Sequence, residues 1–411
     1  MATEPLDDDI WVVDSPAIGT GLQARPCGDA IRPAVPPRAD DPIAMTFSGG
    51  GFRATLASLG MARLAADVGA LKDLRYLSSV SGGSVANGLI AHVWPALRAR
   101  RFSAAAVDEL VIDPFVERIA KRSLKRSLII GIWRTIGSST RTDLLARRFD
   151  DWFFDGTQLA ELDPGVRWIV NASNLVTGVR FTFERDIVGD YTIGLASTAG
   201  TKLRLSTAVA ASAAVPGAFA PIRLNGVTFP CATVAPALLD GGVYDNTGLE
   251  AIDSERYRDV FVMTLNSGGL LRPGVYGKVP LVRELARSNS LLYRQSTALR
   301  TRWMVDRFEH AAEIPPGRPL PPGARRGVLT GLATEFPDPG PDGLRRWRAT
   351  HREIIEHDGK HLAQVPTVFD RLDESLCRAL VHRGWWLTGA ALAMYHPVRL
   401  GDPASFAAPP T

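Results

Sequence analysis

Apolar and polar positions alternate along the chain in blocks that predict strands followed by helices. Residues 43–47 and 74–80 are apolar runs with the length of buried strands. Each is followed by a segment rich in small and apolar residues, at 51–71 and 84–94, as expected of packed helices. This order predicts an α/β domain in which two glycine-containing turns connect a strand to a helix.

Further along, the pattern predicts a hairpin and one more core strand. Residues 167–171 and 179–183 alternate like strands and flank a turn at Thr177-Gly178. Residues 260–265 form another short apolar run. Helical patterns follow at 279–312 and at 369–394, the second predicted to break at Gly384.

These patterns divide the chain into three regions. The first 40 residues are rich in Pro and Asp and are predicted to form an arm over the core. We expect an N-terminal arm at 1–40, a catalytic core at 41–270, and a mainly helical C-terminal extension packed on that core at 271–411.

Composition fits an enzyme with a large core and gives a first expectation about its location. The 411 residues are 45% hydrophobic and 22% charged, and no apolar run reaches the ~18 residues that a membrane span needs. Because the first nine residues are acidic and unlike a secretory signal, we expect a cytoplasmic protein with peripheral membrane contact. Cys27, Cys231 and Cys377 are scattered without metal spacing and are predicted to be reduced.

The first strand-to-helix turn, Ser48-Gly49-Gly50-Gly51-Phe52-Arg53-Ala54, has the features of an anion cradle. Glycines allow a ligand to approach the main chain, and the N-terminus of a helix carries partial positive charge. Backbone N–H groups placed this way stabilise the oxyanion that forms when an ester carbonyl is attacked.

The second turn, Ser79-Val80-Ser81-Gly82-Gly83-Ser84, presents a candidate nucleophile. Ser81 lies at the corner between the predicted strand and helix. Small residues on both sides of it allow the sharp elbow that exposes a nucleophilic hydroxyl. A base is also needed, and Asp240 is the best candidate, since the apolar run Leu238-Leu239 leads it to Gly241-Gly242.

With these motifs in this order, the chain resembles the patatin-like phospholipases, a family that includes the catalytic domain of cytosolic phospholipases. A fourth block, Ala211-Ser212-Ala213-Ala214-Val215-Pro216-Gly217-Ala218-Phe219, completes the resemblance, which covers roughly residues 41 to 250. It implies an α/β patatin-like three-layer fold, with a central mostly parallel sheet flanked by helices, plus C-terminal helical elements.

The resemblance also implies a mechanism without histidine, metal or cofactor. Ser81 is expected to be the nucleophile and Asp240 the base. The expected oxyanion donors are Gly49, Gly50, Gly51 and Gly82, and Arg53 is expected to bind substrate. The implied substrate is a phospholipid or lysophospholipid.

Three alternatives stay open at this point. The first glycine turn also fits a dinucleotide fingerprint, but the expected acidic residue is missing, since the second strand ends at Ser78 and Ser79. An α/β-hydrolase with a Ser-His-Asp triad would need a later histidine such as His310, His351 or His357. A catalytically idle lipid-binding scaffold would keep the fold without needing Ser81 and Asp240.

A basic segment suggests where a membrane could contact the protein. Residues 98–148 contain twelve Lys and Arg against five Asp and Glu. Arg118, Lys121, Arg122, Lys125 and Arg126 precede an apolar, Trp-containing run at 128–133. This pattern favours an interfacial helix on an anionic membrane through residues 115–137, or equally a helix that buries its apolar side in the core. Nucleic-acid binding is not expected, because no binding motif accompanies the charge.

Overall fold

A central mixed sheet of mostly parallel strands, flanked by helices, forms the frame of the molecule. The computed structural model describes residues 33–124, 126, 140–224, 226–268, 280–315, 318–352 and 359–410. The main strand order is β10-β9-β1-β2-β3-β4-β5-β6, and β8 pairs with both β3 and β7. The strands are β1 Ile43–Phe47, β2 Leu74–Val80, β3 Arg167–Asn174, β4 Val179–Phe183, β5 Ile187–Asp190, β6 Gly194–Ser197, β7 Ile222–Arg223, β8 Ala237–Asp240, β9 Phe261–Asn266 and β10 Gly327–Gly331.

The sheet changes character at β3. The five strands from β10 to β3 are parallel to one another, whereas β4 to β6 and β8 run antiparallel to their partners. The predicted strands β1 and β2 have the bounds that the apolar runs indicated, and the predicted hairpin is the β3-β4 pair. The expected α/β fold class is therefore confirmed.

Helices cover the sheet. They are α1 Gly51–Asp67, α2 Gly82–Ala99, α3 Ala104–Val107, α4 Asp113–Lys121, α5 Arg141–Phe149, α6 Leu205–Ser212, α7 Pro280–Ala312, α8 Asp342–Thr350, α9 Gly359–Gln364, α10 Glu374–Tyr395 and α11 Pro397–Leu400.

Helix α1 is buried almost all round, with every residue from Gly51 to Ala66 inaccessible to solvent. A helix of this kind is mostly small and apolar on all faces, which explains its Ala, Leu and Gly content. Its two buried arginines, Arg53 and Arg63, are both hydrogen-bonded. It contacts α10 most extensively and also contacts α2 and β1. These contacts hold α1 in place, and with it the glycine turn that leads into the helix.

Helix α10 corrects the predicted break at Gly384, since it runs unbroken from Glu374 to Tyr395. A β-carbon added to Gly384 would lie 2.0 Å from the carbonyl oxygen of Ala57 in α1. The glycine therefore permits close packing of two helices, at the ordinary cost in helix propensity, and does not end the helix.

Residues beyond 270 contribute to the sheet as well as to its cover. β10 pairs in parallel with β9, from Gly327↔Val262 to Gly331↔Asn266. The predicted extension thus supplies a strand of the central sheet in addition to helices packed on it. The division of the chain at residues 40 and 270 stays a proposal, and most of the predicted arm lies outside the described residues.

The cysteines and the candidate membrane spans can also be compared with the expectations from composition. Cys231 is disulfide-bonded, so the prediction that the cysteines are reduced is wrong for it, whereas Cys377 is a buried free thiol. Along the described part of the chain, no helix combines the length and the apolar character that crossing a membrane requires.

Candidate active site

Ser81 occupies a strained corner between β2 and α2. Its backbone has φ 51° and ψ −118°, a left-handed conformation that a non-glycine residue rarely adopts. This is the geometry of a nucleophile elbow, as the small residues around Ser81 predicted. Ser81 is 4% exposed.

Glycines next to Ser81 allow the two strand-to-helix turns to pack against each other. A β-carbon added to Gly82 would lie 2.0 Å from the carbonyl oxygen of Gly51, and one added to Gly83 would lie 2.3 Å from that of Phe47. No larger residue fits at either position without moving the main chain. The glycine cradle is thereby brought directly against the elbow.

Strand β3 brings Asp240 to Ser81. Val80, the last residue of β2, pairs with Asn171 of β3, and the next residue of β3, Ala172, pairs with Asp240 at the end of β8. The ends of β2 and β8 therefore meet on one side of β3. The side chains of Ser81 and Asp240, far apart in sequence, are neighbours, and the Ser81 hydroxyl favours the ionised form of the Asp240 carboxyl group.

The surroundings of Asp240 set its basicity. Its Oδ1 accepts a 2.7 Å hydrogen bond from the N–H of Gly242. Burial raises the pKa of Asp240 to about 6, although the Ser81 hydroxyl and the Gly242 N–H favour the carboxylate. Among the described residues, no cation contributes to this balance, so Asp240 is a stronger base than an exposed aspartate.

The fourth sequence block holds the elbow in place. The N–H of Ser81 donates to Ser212 Oγ at 2.8 Å, and Ser212 Oγ donates to the carbonyl oxygen of Asn171 at 2.6 Å. Ser212 therefore ties the nucleophile turn to β3, the strand that also positions Asp240. Its role is to position the elbow.

The glycine cradle is only partly free to bind an oxyanion. Gly49 was predicted to donate to the oxyanion. In the structure its N–H donates to the carbonyl oxygen of Asn246 at 3.0 Å and is not available. The N–H groups of Gly50, Gly51 and Gly82, at the starts of α1 and α2, have no acceptor among the described residues. These three are the groups that can receive an oxyanion.

Arg53 faces inward and is fully engaged. Its guanidinium donates to the carbonyl oxygen of Ser267 at 3.1 and 2.8 Å, to that of Val365, and to Thr367 Oγ1 at 3.1 Å. Arg53 is 2% exposed, and burial lowers its pKa. In this structure Arg53 fixes the backbone on either side of the cradle, and its binding of substrate stays a prediction.

The described histidines considered for a triad have other environments. His351 donates a hydrogen bond from Nε2 to the carbonyl oxygen of Pro403 at 2.8 Å, and its ring packs against Trp347 and Trp385. His310 lies near the end of α7. The third candidate, at position 357, lies outside the described residues.

Two residues near the dyad were not anticipated from the sequence. A β-carbon added to Gly49 would lie 2.2 Å from Asn246 Oδ1 and 3.2 Å from Ser81 Cβ, so Asn246 borders the nucleophile. Tyr293 of α7 packs against Gly242. The polar turn after the Asp-Gly-Gly motif was a signal for Asn246, whereas no local pattern marked Tyr293.

The described part of the basic segment packs on the core. Phe115, Val116 and Ile119 of α4 are buried, and Lys121 is exposed and paired with Glu117 at 2.6 Å. Lys125 and the apolar run of the predicted interfacial segment 115–137 lie outside the described residues.

Comparison with known proteins gives a family match over half of the chain. A family model for patatin-like phospholipases matches residues 45–253. No curated protein sequence matches.

Several solved structures resemble the fold at low identity. Human GIVD cytosolic phospholipase A2 has 12% identity over 88% of this chain and 60% of its own, with a TM-score of 0.49. Its complex with methyl gamma-linolenyl fluorophosphonate and terbium chloride has 14% identity over 95% and 62%, with a TM-score of 0.47. VipD from Legionella pneumophila has 14% identity over 80% and 66%, with a TM-score of 0.32. The chain spans about three fifths of the length of the human protein.

Proposed function

The chain belongs to the patatin-like phospholipase family, and from this premise we propose that it is a lipid acyl hydrolase that cleaves fatty-acyl esters of phospholipids or lysophospholipids. The observation that carries the proposal is the position of Ser81, at the strained turn after β2, beside Asp240 at the end of β8. Within the family, this pair has the composition of a serine-aspartate dyad.

The reaction follows from the groups at the site. Asp240 accepts the proton of Ser81 Oγ as that oxygen attacks the ester carbonyl carbon. The N–H groups of Gly50, Gly51 and Gly82 receive the oxyanion. The C–O bond to the alcohol then breaks, the alcohol takes the proton from Asp240, and water repeats these steps on the acyl-enzyme.

Contact with an anionic membrane through residues 115–137 stays a proposal. In the described part of this segment the apolar side chains face the core, so the proposal relies on the basic residues. Liposome binding tests it, since exchange of Arg118 and Arg122 for Glu is expected to weaken binding to anionic vesicles and to leave binding to neutral vesicles unchanged.

The dyad is tested by replacing its nucleophile. We expect Ser81→Ala to lose at least about 10⁴-fold in kcat for phospholipid and lysophospholipid hydrolysis and to lose labelling by a fluorophosphonate probe. Ser197→Ala, at an exposed position at the end of β6, is the matched control and should keep both. A folded Ser81→Ala protein with substantial activity would contradict the proposal.

A further inference from the structure

Two side-chain hydrogen-bond donors converge beside Gly268, just after β9. A β-carbon added to Gly268 would lie 3.3 Å from Asn246 Nδ2 and 3.5 Å from Tyr293 Oη. Glycine at this position leaves both donor atoms uncovered by a side chain of its own, and the space in front of the two donors is where an acceptor oxygen of a bound molecule would receive their hydrogen bonds.

The donors at this space are unused by the protein. Asn246 is 2% exposed, and its Nδ2 makes no hydrogen bond. A buried amide without an acceptor costs free energy, and an exception of this kind in a site requires an explanation. Among the described residues, the Tyr293 hydroxyl has no hydrogen-bond partner either.

Tyr293, one of the two donors, lies next to Asp240. A β-carbon added to Gly242 would lie 3.0 Å from Asp240 Oδ1 and 3.4 Å from Tyr293 Cε2, so the aspartate and the tyrosine ring border the same glycine. Burial and the nearby Asp240 carboxylate both raise the pKa of Tyr293. The phenol is therefore protonated and is a hydrogen-bond donor at neutral pH.

The backbone beneath the space is held from the other side. The Arg53 guanidinium donates twice to the carbonyl oxygen of Ser267, the residue before Gly268. The N–H of Gly268 donates to Asn266 Oδ1 at 2.9 Å. The main chain at Gly268 is thus held in place, as the backbone of a binding subsite must be.

This inference rests on the proposed function. We propose that Asn246 Nδ2 and Tyr293 Oη form a leaving-group subsite, in which they donate hydrogen bonds to an oxygen of the alcohol that departs from the acyl carbon. The chemical reason is that Asp240, having taken the proton of Ser81, must return it to the departing oxygen. The alcohol therefore lies beside Asp240, where the two donors are.

The oxygen can come from two parts of the alcohol. It is either the ester oxygen itself, whose developing negative charge the donors stabilise as the C–O bond breaks, or an oxygen further along the alcohol, such as a phosphate oxygen of a lysophospholipid. Both are acceptors of the same kind, and substrates that differ only in the alcohol separate them.

Tyr293→Phe tests the subsite because it removes the hydroxyl and keeps the ring. We would measure kcat/KM for p-nitrophenyl, ethyl and lysophosphatidylcholine esters of one fatty acid. Since p-nitrophenolate departs without a proton, its ester should change less than twofold. A loss of about tenfold or more on both other esters assigns the ester oxygen, and a loss on the lysophospholipid alone assigns the phosphate oxygen. Equal losses on all three esters, or no loss on any, would overturn the proposal.

Two further variants extend the test of the leaving-group subsite. Asn246→Ala should show the same dependence on the alcohol. Tyr395→Phe, at an exposed position (60%) at the end of α10, is the matched control and should leave the hydrolysis of all three esters unchanged.

Fluorophosphonate labelling of Tyr293→Phe should proceed at the wild-type rate, because fluoride also departs without a proton. A parallel assay of Ser81→Ala separates the two ideas, since activity in that variant refutes the dyad, whereas an inactive Ser81→Ala with equal losses in Tyr293→Phe refutes only the subsite.

Discussion

Asp240, at the end of β8, and a group of buried carboxylates that follows it in the chain differ in what surrounds them. Within the described parts of the chain, the buried carboxyl group of Asp240 has the Ser81 hydroxyl and the Gly242 N–H as its polar neighbours. The second set surrounds Arg300 of α7, which contacts Glu250 and lies 3.6 Å from Asp245. We refer to Asp245, Glu250, Asp253 and Arg300 as the Arg300 cluster.

The Arg300 cluster has the character of a structural ion-pair network. Burial raises the pKa of Glu250, and it raises the pKa of Asp253 to about 7, while Arg300 opposes both shifts. Arg307, about two turns after Arg300 in α7, donates to the carbonyl oxygen of Asp253 and to Glu255. These contacts attach α7, and with it Tyr293, to the loop that follows the Asp-Gly-Gly motif.

The difference shows how one type of side chain performs two tasks. Burial raises the pKa of carboxyl groups in both sets, so the difference lies in their partners. The carboxylates of the Arg300 cluster face a guanidinium and serve packing, whereas Asp240 faces the Ser81 hydroxyl, whose proton it can accept. Removing the charge of Asp240 should therefore abolish the chemistry and spare the fold. Removing the charge of Arg300 should do the reverse.

The largest expected effect is that of Asp240→Asn. We expect kcat to fall by on the order of 10⁴-fold, because Ser81 loses its base. Since the raised pKa means that ionised Asp240 destabilises the folded state above about pH 4, the neutral amide should raise the free energy of unfolding by on the order of 2 kcal/mol. Hydrolysis assays and urea denaturation at pH 7.5 measure the two effects.

Asp151→Asn, with an exposed side chain, is the control for Asp240→Asn and should change neither quantity appreciably. An Asp240→Asn protein that is inactive but strongly destabilised would place Asp240 with the structural carboxylates and contradict the comparison.

The next effect concerns the Arg300 cluster. Arg300→Met keeps much of the side-chain volume and leaves Glu250 and Asp253 without their nearest cation. We expect a loss of about 3 kcal/mol in the free energy of unfolding, measured by urea denaturation. The neighbouring exposed Arg302, replaced in the same way, should change stability by less than about 0.5 kcal/mol. Equal stabilities of the two variants would show that the cluster does not hold α7.

The smallest effect is a pH dependence. Asp240 must be ionised to accept the proton of Ser81, and its pKa is about 6. We expect kcat/KM to be constant above about pH 7 and to fall about tenfold per unit well below pH 6. A group with a raised pKa does not lose folding stability as it becomes protonated, so this loss should reverse on return to neutral pH. A rate that stays flat down to pH 4.5 would show that Asp240 is not the base.

Local features of the site were predictable from sequence. The strand-turn-helix junctions at Gly49–Gly51 and at Ser81 depend on residues within a few positions of each other, and their apolar runs and glycines report directly on backbone conformation. The positive φ of Ser81 and the bounds of β1 and β2 agree with that reasoning.

Other features required contacts between distant segments. Gly49 was expected to be an oxyanion donor, yet its N–H donates to the carbonyl oxygen of Asn246. Arg53 was expected to bind substrate, yet it binds two other segments of its own chain, at Ser267 and at residues 365–367. Neither fact has a local signal, because hydrogen-bond partners are chosen by packing. Gly384 is similar, since close approach of α1 is the reason for a glycine there.

By itself the sequence determined the strand-helix order, the two glycine turns and the identity of a hydroxyl and a carboxylate suited to acyl transfer, because these follow from short-range conformational preferences and side-chain chemistry. Only the tertiary structure decided that Asp240 lies beside Ser81, through the pairing of β2 and β8 with consecutive residues of β3. It also decided that Asp240 is buried, with no cation among the described residues beside its carboxyl group, and that Tyr293 of α7 lies next to it. Pairing register and burial depend on the whole chain, so no stretch of residues encodes them alone.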